Sequence, residues 1–261
     1  MIKTLLLGGR GNIGSGLRTF LPRLDPDYDI VSVDLPGSPD KATESDAQKK
    51  FIDLDISDQP EALENLLMEQ DLVVYLARKN PLPAMNAMTD LVFEKILAQK
   101  KVPMVVASSS VHAVDGAYNF KKGVYLQVAK RLFDRIKEFP SLIPATAAPC
   151  PENQYGREKA HVESWVRKLA DVGHGAVAAR WGGINSLNKN RKERGYFAVW
   201  CHQEDAARFV HACYTSYKTG TLNSGAHYFV ISDNTYNIFD IDTPKREIGY
   251  HPIHNAEIFY Q

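Results

Sequence analysis

Cysteine is scarce in this chain: 261 residues hold three, at Cys150, Cys201 and Cys213. An odd number at irregular spacing makes neither a disulfide framework nor a zinc knuckle, and it fits a reducing compartment, so a cytoplasmic protein is the expectation. The neighbours Cys201 and His202 have no further ligands at metal-binding spacing, and no metal is assigned. Long apolar runs are missing too. The opening Met1 to Leu7 is too short for a secretory leader, and no apolar stretch approaches the roughly 20 residues of a membrane span, so no membrane partner is expected. Nor does one sign of charge prevail. With 31 basic residues against 31 acidic ones, the electrostatic case for nucleic acid disappears and a small molecule becomes the default partner. Internal repeats and low-complexity tracts are absent.

What remains is an alternation of short apolar runs with helix-period stretches, which predicts an α/β fold of the Rossmann type, a doubly wound parallel sheet. Strands are read at 2–7, 29–34, 50–54, 72–76, 104–108 and 176–180, and helices at 12–21, 60–69, 85–100 and 155–170. Residues 1–180 are read as the main domain, with an excursion at about 120–149 whose residues 124–139 have helical period. Residues 181–261 are read as a small substrate-binding cap interleaved with that domain: a basic loop, a helix at 203–215, a strand at 228–231 and a helical piece at 238–248.

The first chemical motif is the turn Gly8-Gly9-Arg10-Gly11-Asn12-Ile13-Gly14, directly after the first strand and opening a helix. Gly8 permits the tight turn and Gly11 lets backbone N–H groups approach a pyrophosphate. Gly14 allows close packing of helix on strand, and the helix N-terminus attracts the anion. Asp34 ends the second strand, where a carboxylate binds ribose hydroxyls and repels a 2′-phosphate, favouring NAD over NADP. Arg10 pulls the other way, as a cation beside the loop.

These segments, with Asp55-Ile56-Ser57-Asp58 after the third strand and Val73-Val74-Tyr75-Leu76-Ala77 at the fourth, resemble the cofactor motifs of the extended short-chain dehydrogenase/reductase family, the NAD-dependent epimerases and dehydratases. The resemblance implies that Asp55 and Ile56 frame the adenine, with Asn12 and Ile13 at the pyrophosphate. It also places Leu76 and Ala77 toward the nicotinamide and makes Asn86 a structural helix asparagine. Arg78 departs from the small residue that the family carries there.

Tyr-x-x-x-Lys occurs four times, at Tyr75/Lys79, Tyr118/Lys122, Tyr155/Lys159 and Tyr214/Lys218. Tyr75 falls in a strand, Tyr118 in a loop, and Tyr214 lies outside the family order. Tyr155 opens a helix, where i,i+4 spacing puts it on one face with Lys159. A tyrosine of ordinary pKa near about 10 needs roughly 4 kcal/mol of preferential phenolate stabilisation to act as a base near neutrality, and Lys159 supplies positive charge for it. The family resemblance further implies a hydroxyl from Ser108-Ser109-Ser110 that bonds the substrate oxygen. Ser110 is the choice, counted back from His112-Ala113-Val114, with Ser109 as the alternative.

The terminal third is similar to the uronate dehydrogenase branch and to haloarchaeal glucose-6-phosphate dehydrogenases, through Arg180-Trp181-Gly182-Gly183, Arg194-Gly195, Trp200 to Asp205 and Tyr228 to Asn234. That resemblance implies NAD-dependent oxidation of C1 of a sugar to a lactone. Ser109, Ser110 and His112 would stand at the sugar oxygens, and Arg194, in a loop with four cations, at a substrate carboxylate or phosphate. It also implies a possible homodimer. Two rival readings stand beside it: a sugar or sugar-nucleotide epimerase/reductase, and a non-catalytic dinucleotide sensor.

Overall fold

The computed structural model describes residues 1–261. Its strands are β1 (Ile2–Leu7), β2 (Tyr28–Asp34), β3 (Lys50–Asp53), β4 (Leu72–Tyr75), β5 (Met104–Ser110), β6 (Ala176–Trp181) and β7 (His227–Val230). The helices are α1 (Asn12–Leu24), α2 (Pro60–Leu67), α3 (Leu82–Leu97), α4 (Gly123–Ala129), α5 (Gln154–Asp171), α6 (Tyr196–Val199), α7 (Gln203–Lys218) and α8 (Asp242–Ile248).

All seven strands join one parallel sheet in the order β3-β2-β1-β4-β5-β6-β7. A parallel sheet needs crossover helices, which cover both faces, and the central strands therefore read as continuous apolar runs. The pleat divides them. Leu6, Val74, Val106 and Val177 pack with Leu17 of α1 and Phe209 of α7, whereas Leu5, Val73, Val105 and Ala178 pack with Phe93 of α3 and Val166 of α5. The strand order reverses between β1 and β4, and the crevice at their carboxyl ends is where such sheets take ligands.

The expected strands and helices appear in place with shifts at their ends. Among the strands the largest shift is at β5, which runs to Ser110, so that all three serines lie on the strand. The region after 180 contributes β7 to the sheet and α7 to its cover. From α7, Gln203 Nε2 donates to Asn12 O at 2.5 Å and to Ser15 Oγ at 3.1 Å, fastening the C-terminal part to the first helix.

Two helical expectations fail. The 124–139 period does not yield a continuous helix: α4 stops at Ala129, Arg131 turns into the left-handed region at φ 56°, and only a single 3-10 turn, Phe133–Arg135, follows. Tertiary burial outweighs local period here, because the Arg131 guanidinium is held bidentately by Glu257 at 2.7 and 2.8 Å and lies 3.7 Å from the Tyr260 ring centroid. The piece expected at 238–248 becomes helical only at Asp242. Its beginning is spent on a bridge to the excursion, with Ile143 N donating to Ile238 O at 2.8 Å and Asp240 N to Ile143 O at 2.9 Å. No helix is long and apolar enough to cross a membrane.

Candidate functional site

Two cavities open side by side at the carboxyl edge of the sheet. The first, of about 280 Å³, is lined by Gly8 and Gly11, by Asp34, by Asp55 and Ile56, and by Leu76, Ala77 and Arg78. Each comes from the end of a strand or the turn after it, as β1, β2, β3 and β4 finish one beside another.

The glycines of the first turn are small for different reasons. Gly8 has φ 95°, and a Cβ there would stand 2.8 Å from Ala77 N, so backbone conformation and close approach both require glycine. A Cβ on Gly14 would stand 2.6 Å from Gly9 Cα, which makes that glycine a packing requirement. Gly11 differs. Its backbone is ordinary, at φ −68°, and an added Cβ would meet nothing nearer than Gly8 O at 3.5 Å. The protein itself gives no reason for glycine there, and the open space faces a helix start whose Asn12 and Ile13 N–H groups have no protein acceptor. That is the arrangement a pyrophosphate needs, so the residues present fit a dinucleotide.

Asp34 accepts from Arg10 N and Leu35 N, both at 3.0 Å, which fixes its carboxylate at the rim of the cleft. The Arg10 guanidinium is committed to Asp53 at 2.6 Å and to the Phe51 ring at 4.6 Å. Asp55 is held by the Ser57 hydroxyl at 2.5 Å and by Lys79 Nζ at 3.2 Å. The Ser57 hydrogen bond, more than the Lys79 charge, keeps its pKa below the usual carboxylate range.

The second cavity, of about 610 Å³, is lined by Ser110, His112, Asp115, Tyr155, Arg191 and Arg194 among others. The pleat sets Ser109 apart from Ser108 and Ser110. Ser109 lies on the face covered by α5, fully buried, its Oγ donating to Glu163 Oε1 at 2.6 Å. It does not reach the cavity, so the substrate contact expected of Ser109 is corrected: its hydroxyl belongs to a buried network with Glu163 and Arg180. Ser110 is on the other face, its Oγ accepting from His112 N at 3.3 Å, and it lines the cavity together with Tyr155. Ser108 takes Lys159, whose Nζ donates to Ser108 O at 2.9 Å and to its Oγ at 3.3 Å.

Tyr155 and Lys159 lie on the first turns of α5, which is capped by Asn153 Oδ1 accepting from Gly156 N at 2.8 Å. Gly156 is required here because a Cβ would stand 2.3 Å from His112 O. Lys159 Nζ is 5.4 Å from the Tyr155 ring centroid. Burial lowers the Lys159 pKa to about 8, against the opposing charge of Glu158. Burial raises that of Tyr155, and the Ser110 hydroxyl and the Arg78 charge act against the rise. His112 meets the Tyr155 ring edge-on, with centroids 5.6 Å apart.

The other Tyr/Lys pairs go elsewhere. Tyr75 is buried against Thr89, Tyr118 sits in an aromatic cluster with Phe120 and Phe239, and Tyr214 packs against Tyr28. Of the loop cations, Arg191 and Arg194 line the cavity and Lys189 does not; Arg194 has no ion-pair partner, whereas Arg191 is 3.6 Å from Glu193. Asn86 lies on α3 with its Oδ1 buried and unpaired. Cys201 is buried, and His202, Glu204 and His254 gather at the start of α7. Their polar atoms are turned on one another: Glu204 N donates to His202 Nδ1 at 3.0 Å, and His254 Nε2 meets Glu204 Oε2 at 3.0 Å.

The sequence reading gave no role to Glu158 or Ser108 and only a discordant note to Arg78. Arg78 Nε and Nη2 donate to Glu158 at 2.8 and 3.2 Å, across a sequence separation that hides the pair from any local pattern. The one visible signal was an arginine where the family carries a small residue.

No curated protein matches the chain by sequence. Among solved structures, uronate dehydrogenase from Agrobacterium tumefaciens superposes with a TM-score of 0.70 at 19% identity, covering 100% of this chain and 87% of that one. UDP-glucose 4-epimerase from Brucella ovis in complex with NAD gives 0.62 at 17%, covering 97% and 94%. A dTDP-glucose 4,6-dehydratase from Streptomyces venezuelae with NAD bound gives 0.64 at 17%, covering 97% and 92%. A family model, that of the NAD dependent epimerase/dehydratase family, matches residues 4–181. That span runs from the first strand through the glycine turn and the Tyr155 helix to the last residue of β6, and on it the chain belongs to the NAD dependent epimerase/dehydratase family.

Proposed function

We propose that this chain is an NAD-dependent dehydrogenase that oxidises C1 of a cyclic sugar, a hexuronate, aldose or sugar phosphate, to a lactone. The observation that carries the reading is the second cavity: Tyr155 and Ser110 stand in its wall, and the unpaired Arg194 lines it together with Arg191.

The turn from Gly8 to Gly14 would hold the pyrophosphate of NAD, Asp34 its adenosine ribose, Asp55 and Ile56 its adenine. Leu76, Ala77 and Lys159 would lie toward the nicotinamide half. When bound there, NAD accepts the hydride. Tyr155 takes the proton of the C1 hydroxyl as that carbon is oxidised, and Ser110 donates a hydrogen bond to the same oxygen, orienting it and balancing its developing charge. Lys159 stands beside the phenol on the same helical face, where a positive charge favours phenolate. His112 borders the sugar, and Arg194 offers a planar, bidentate partner to a carboxylate or phosphate.

The test is NADH formation by the purified protein with NAD and a panel of hexuronates, aldoses and sugar phosphates. Turnover that falls at least about 100-fold in Tyr155→Phe, with NAD affinity retained, supports the reading. An isomerised sugar without net NADH would replace it with an epimerase, in keeping with the similarity to UDP-glucose 4-epimerase. NAD binding with no turnover on any sugar would leave a dinucleotide sensor.

A further inference from the structure

Arg78 follows the end of β4, at the wall between the two cavities: it lines the first, and Tyr155 lines the second. Its guanidinium carbon is 5.0 Å from the centroid of the Tyr155 ring. Lys159 Nζ is 5.4 Å from the same centroid. Two cations therefore attend one phenol.

What holds Arg78 there is Glu158. This carboxylate is fully buried, and a buried carboxylate needs a cation. Its neighbour in sequence, Lys159, is not that partner, because the Lys159 ammonium is spent on Ser108. Arg78 supplies two donors to the two carboxylate oxygens, at 2.8 and 3.2 Å, and so is pinned in orientation as well as place. Arginine suits the post because its planar group pairs bidentately at its edge and offers a face to an aromatic ring.

The charged and polar groups around Tyr155 are few. Its own helix presents Glu158 and Lys159, and β5 presents Ser110. The turn after β5 presents His112, with Asp115 3.5 Å behind it, and the end of β4 presents Arg78.

We propose that Arg78, clamped by Glu158, is a positioning residue for Tyr155, fixing the phenol ring from the cofactor side and keeping a second positive charge beside it. This rests on Tyr155 being the base of the proposed reaction, and it gives the site a cation that does not depend on Lys159.

The experiment is an NMR titration of the full-length protein carrying isotope-labelled tyrosine, with Tyr155→Phe used to assign the resonance. Arg78→Gln, which keeps a donor for Glu158 and removes the charge, is expected to lower the acid dissociation constant of Tyr155 about tenfold. Arg78→Lys is expected to bring it back to within about threefold of the parent. The double variant Arg78→Gln/Glu158→Gln leaves no unpaired buried charge and is compared with Glu158→Gln, from which it differs only by the Arg78 charge; its dissociation constant is expected to be the lower of the two, which keeps the test open if Arg78→Gln does not fold. A dissociation constant within about twofold of the parent in folded Arg78→Gln, or a double variant within about twofold of Glu158→Gln, would overturn the proposal. So would Arg78→Lys behaving no better than Arg78→Gln. No substrate enters this titration, so its outcome is separable from turnover. If Tyr155→Phe turns over sugars normally, the assignment of the base fails whatever Arg78 does; if Tyr155→Phe is inactive and the titration does not move, Arg78 alone is refuted.

Discussion

Replacing Arg180 by methionine tests the frame behind the site. Arg180 is fully buried and Glu163 is 1% exposed. The guanidinium donates to both Glu163 oxygens at 2.8 and 2.9 Å, and to the carbonyls of Ala145 and Ala147 at 3.2 and 2.9 Å. Glu163 in turn accepts from Ser109. One ion pair thereby joins β5, β6, α5 and the end of the excursion. Arg180→Met strands a buried carboxylate, which costs about 3–5 kcal/mol. The two carbonyls lose their donors, adding about 1 kcal/mol where no water replaces them. At roughly 2–4 °C per kcal/mol for a chain of this size class, the thermal midpoint is expected to fall by about 8–24 °C. Arg180→Met/Glu163→Leu removes the stranded charge and is expected to recover about 2 kcal/mol, although Ser109 then lacks its acceptor. Urea unfolding followed by circular dichroism, with scanning calorimetry, reads both changes. A single variant within about 1 kcal/mol of the parent, or a double variant no more stable than the single, would refute the claim that this pair carries the frame.

Three further outcomes are expected. Gly11→Ala leaves the thermal midpoint unchanged and weakens NAD binding at least about tenfold by calorimetry, since its Cβ meets only Gly8 O at 3.5 Å but enters the cleft; Gly14→Ala, with a Cβ 2.6 Å from Gly9 Cα, lowers the midpoint itself. Asp34→Ser reverses part of the cofactor preference, narrowing the ratio of NADP to NAD affinity by about tenfold, because the carboxylate that repels a 2′-phosphate is gone. His202 is held at a pKa of about 4, lowered first by burial and then by His254. The unfolded chain therefore binds more protons between about pH 6.5 and 4, so stability is full above that window and is lost as pH falls through it. His202→Asn keeps an acceptor for the Glu204 N–H and should flatten the acid limb of a pH series of urea midpoints; an unchanged slope would show that His202 does not drive it.

The sheet was legible because a strand buried on both faces carries an apolar run, as Leu5 to Leu7 in β1, Leu72 to Tyr75 in β4, Met104 to Ala107 in β5 and Ala176 to Ala179 in β6 do. The glycine turn was legible because its spacing answers to backbone geometry at Gly8 and Gly14. Ser109 and Ser110 read as lying past the strand's end at Ser108, since polarity normally marks such an end. Here the hydroxyls find partners in Lys159, Glu163 and the backbone N–H of His112, and pairing with β6 continues through Ser110. The excursion misled for the opposite reason: its apolar residues recur at helical period, yet they are apolar to serve Arg131, Glu257 and the rings around them, a cluster drawn from distant parts of the chain. Arg78 and Glu158 could not be paired from one sequence, as nothing local ties the end of β4 to the first turns of α5.

The three serines of β5 give the strand a property that its composition hides. They are chemically identical: the pleat turns Ser109 to the buried ion pair and the other two to the opposite face, where their places along the strand give Ser108 to the lysine and Ser110 to the cavity. An insertion of a single residue earlier in β5 would leave every hydroxyl present and turn each one to the opposite face of the sheet. The strand works as a key whose cuts are all the same depth, so its meaning lies wholly in how far it is pushed into the sheet.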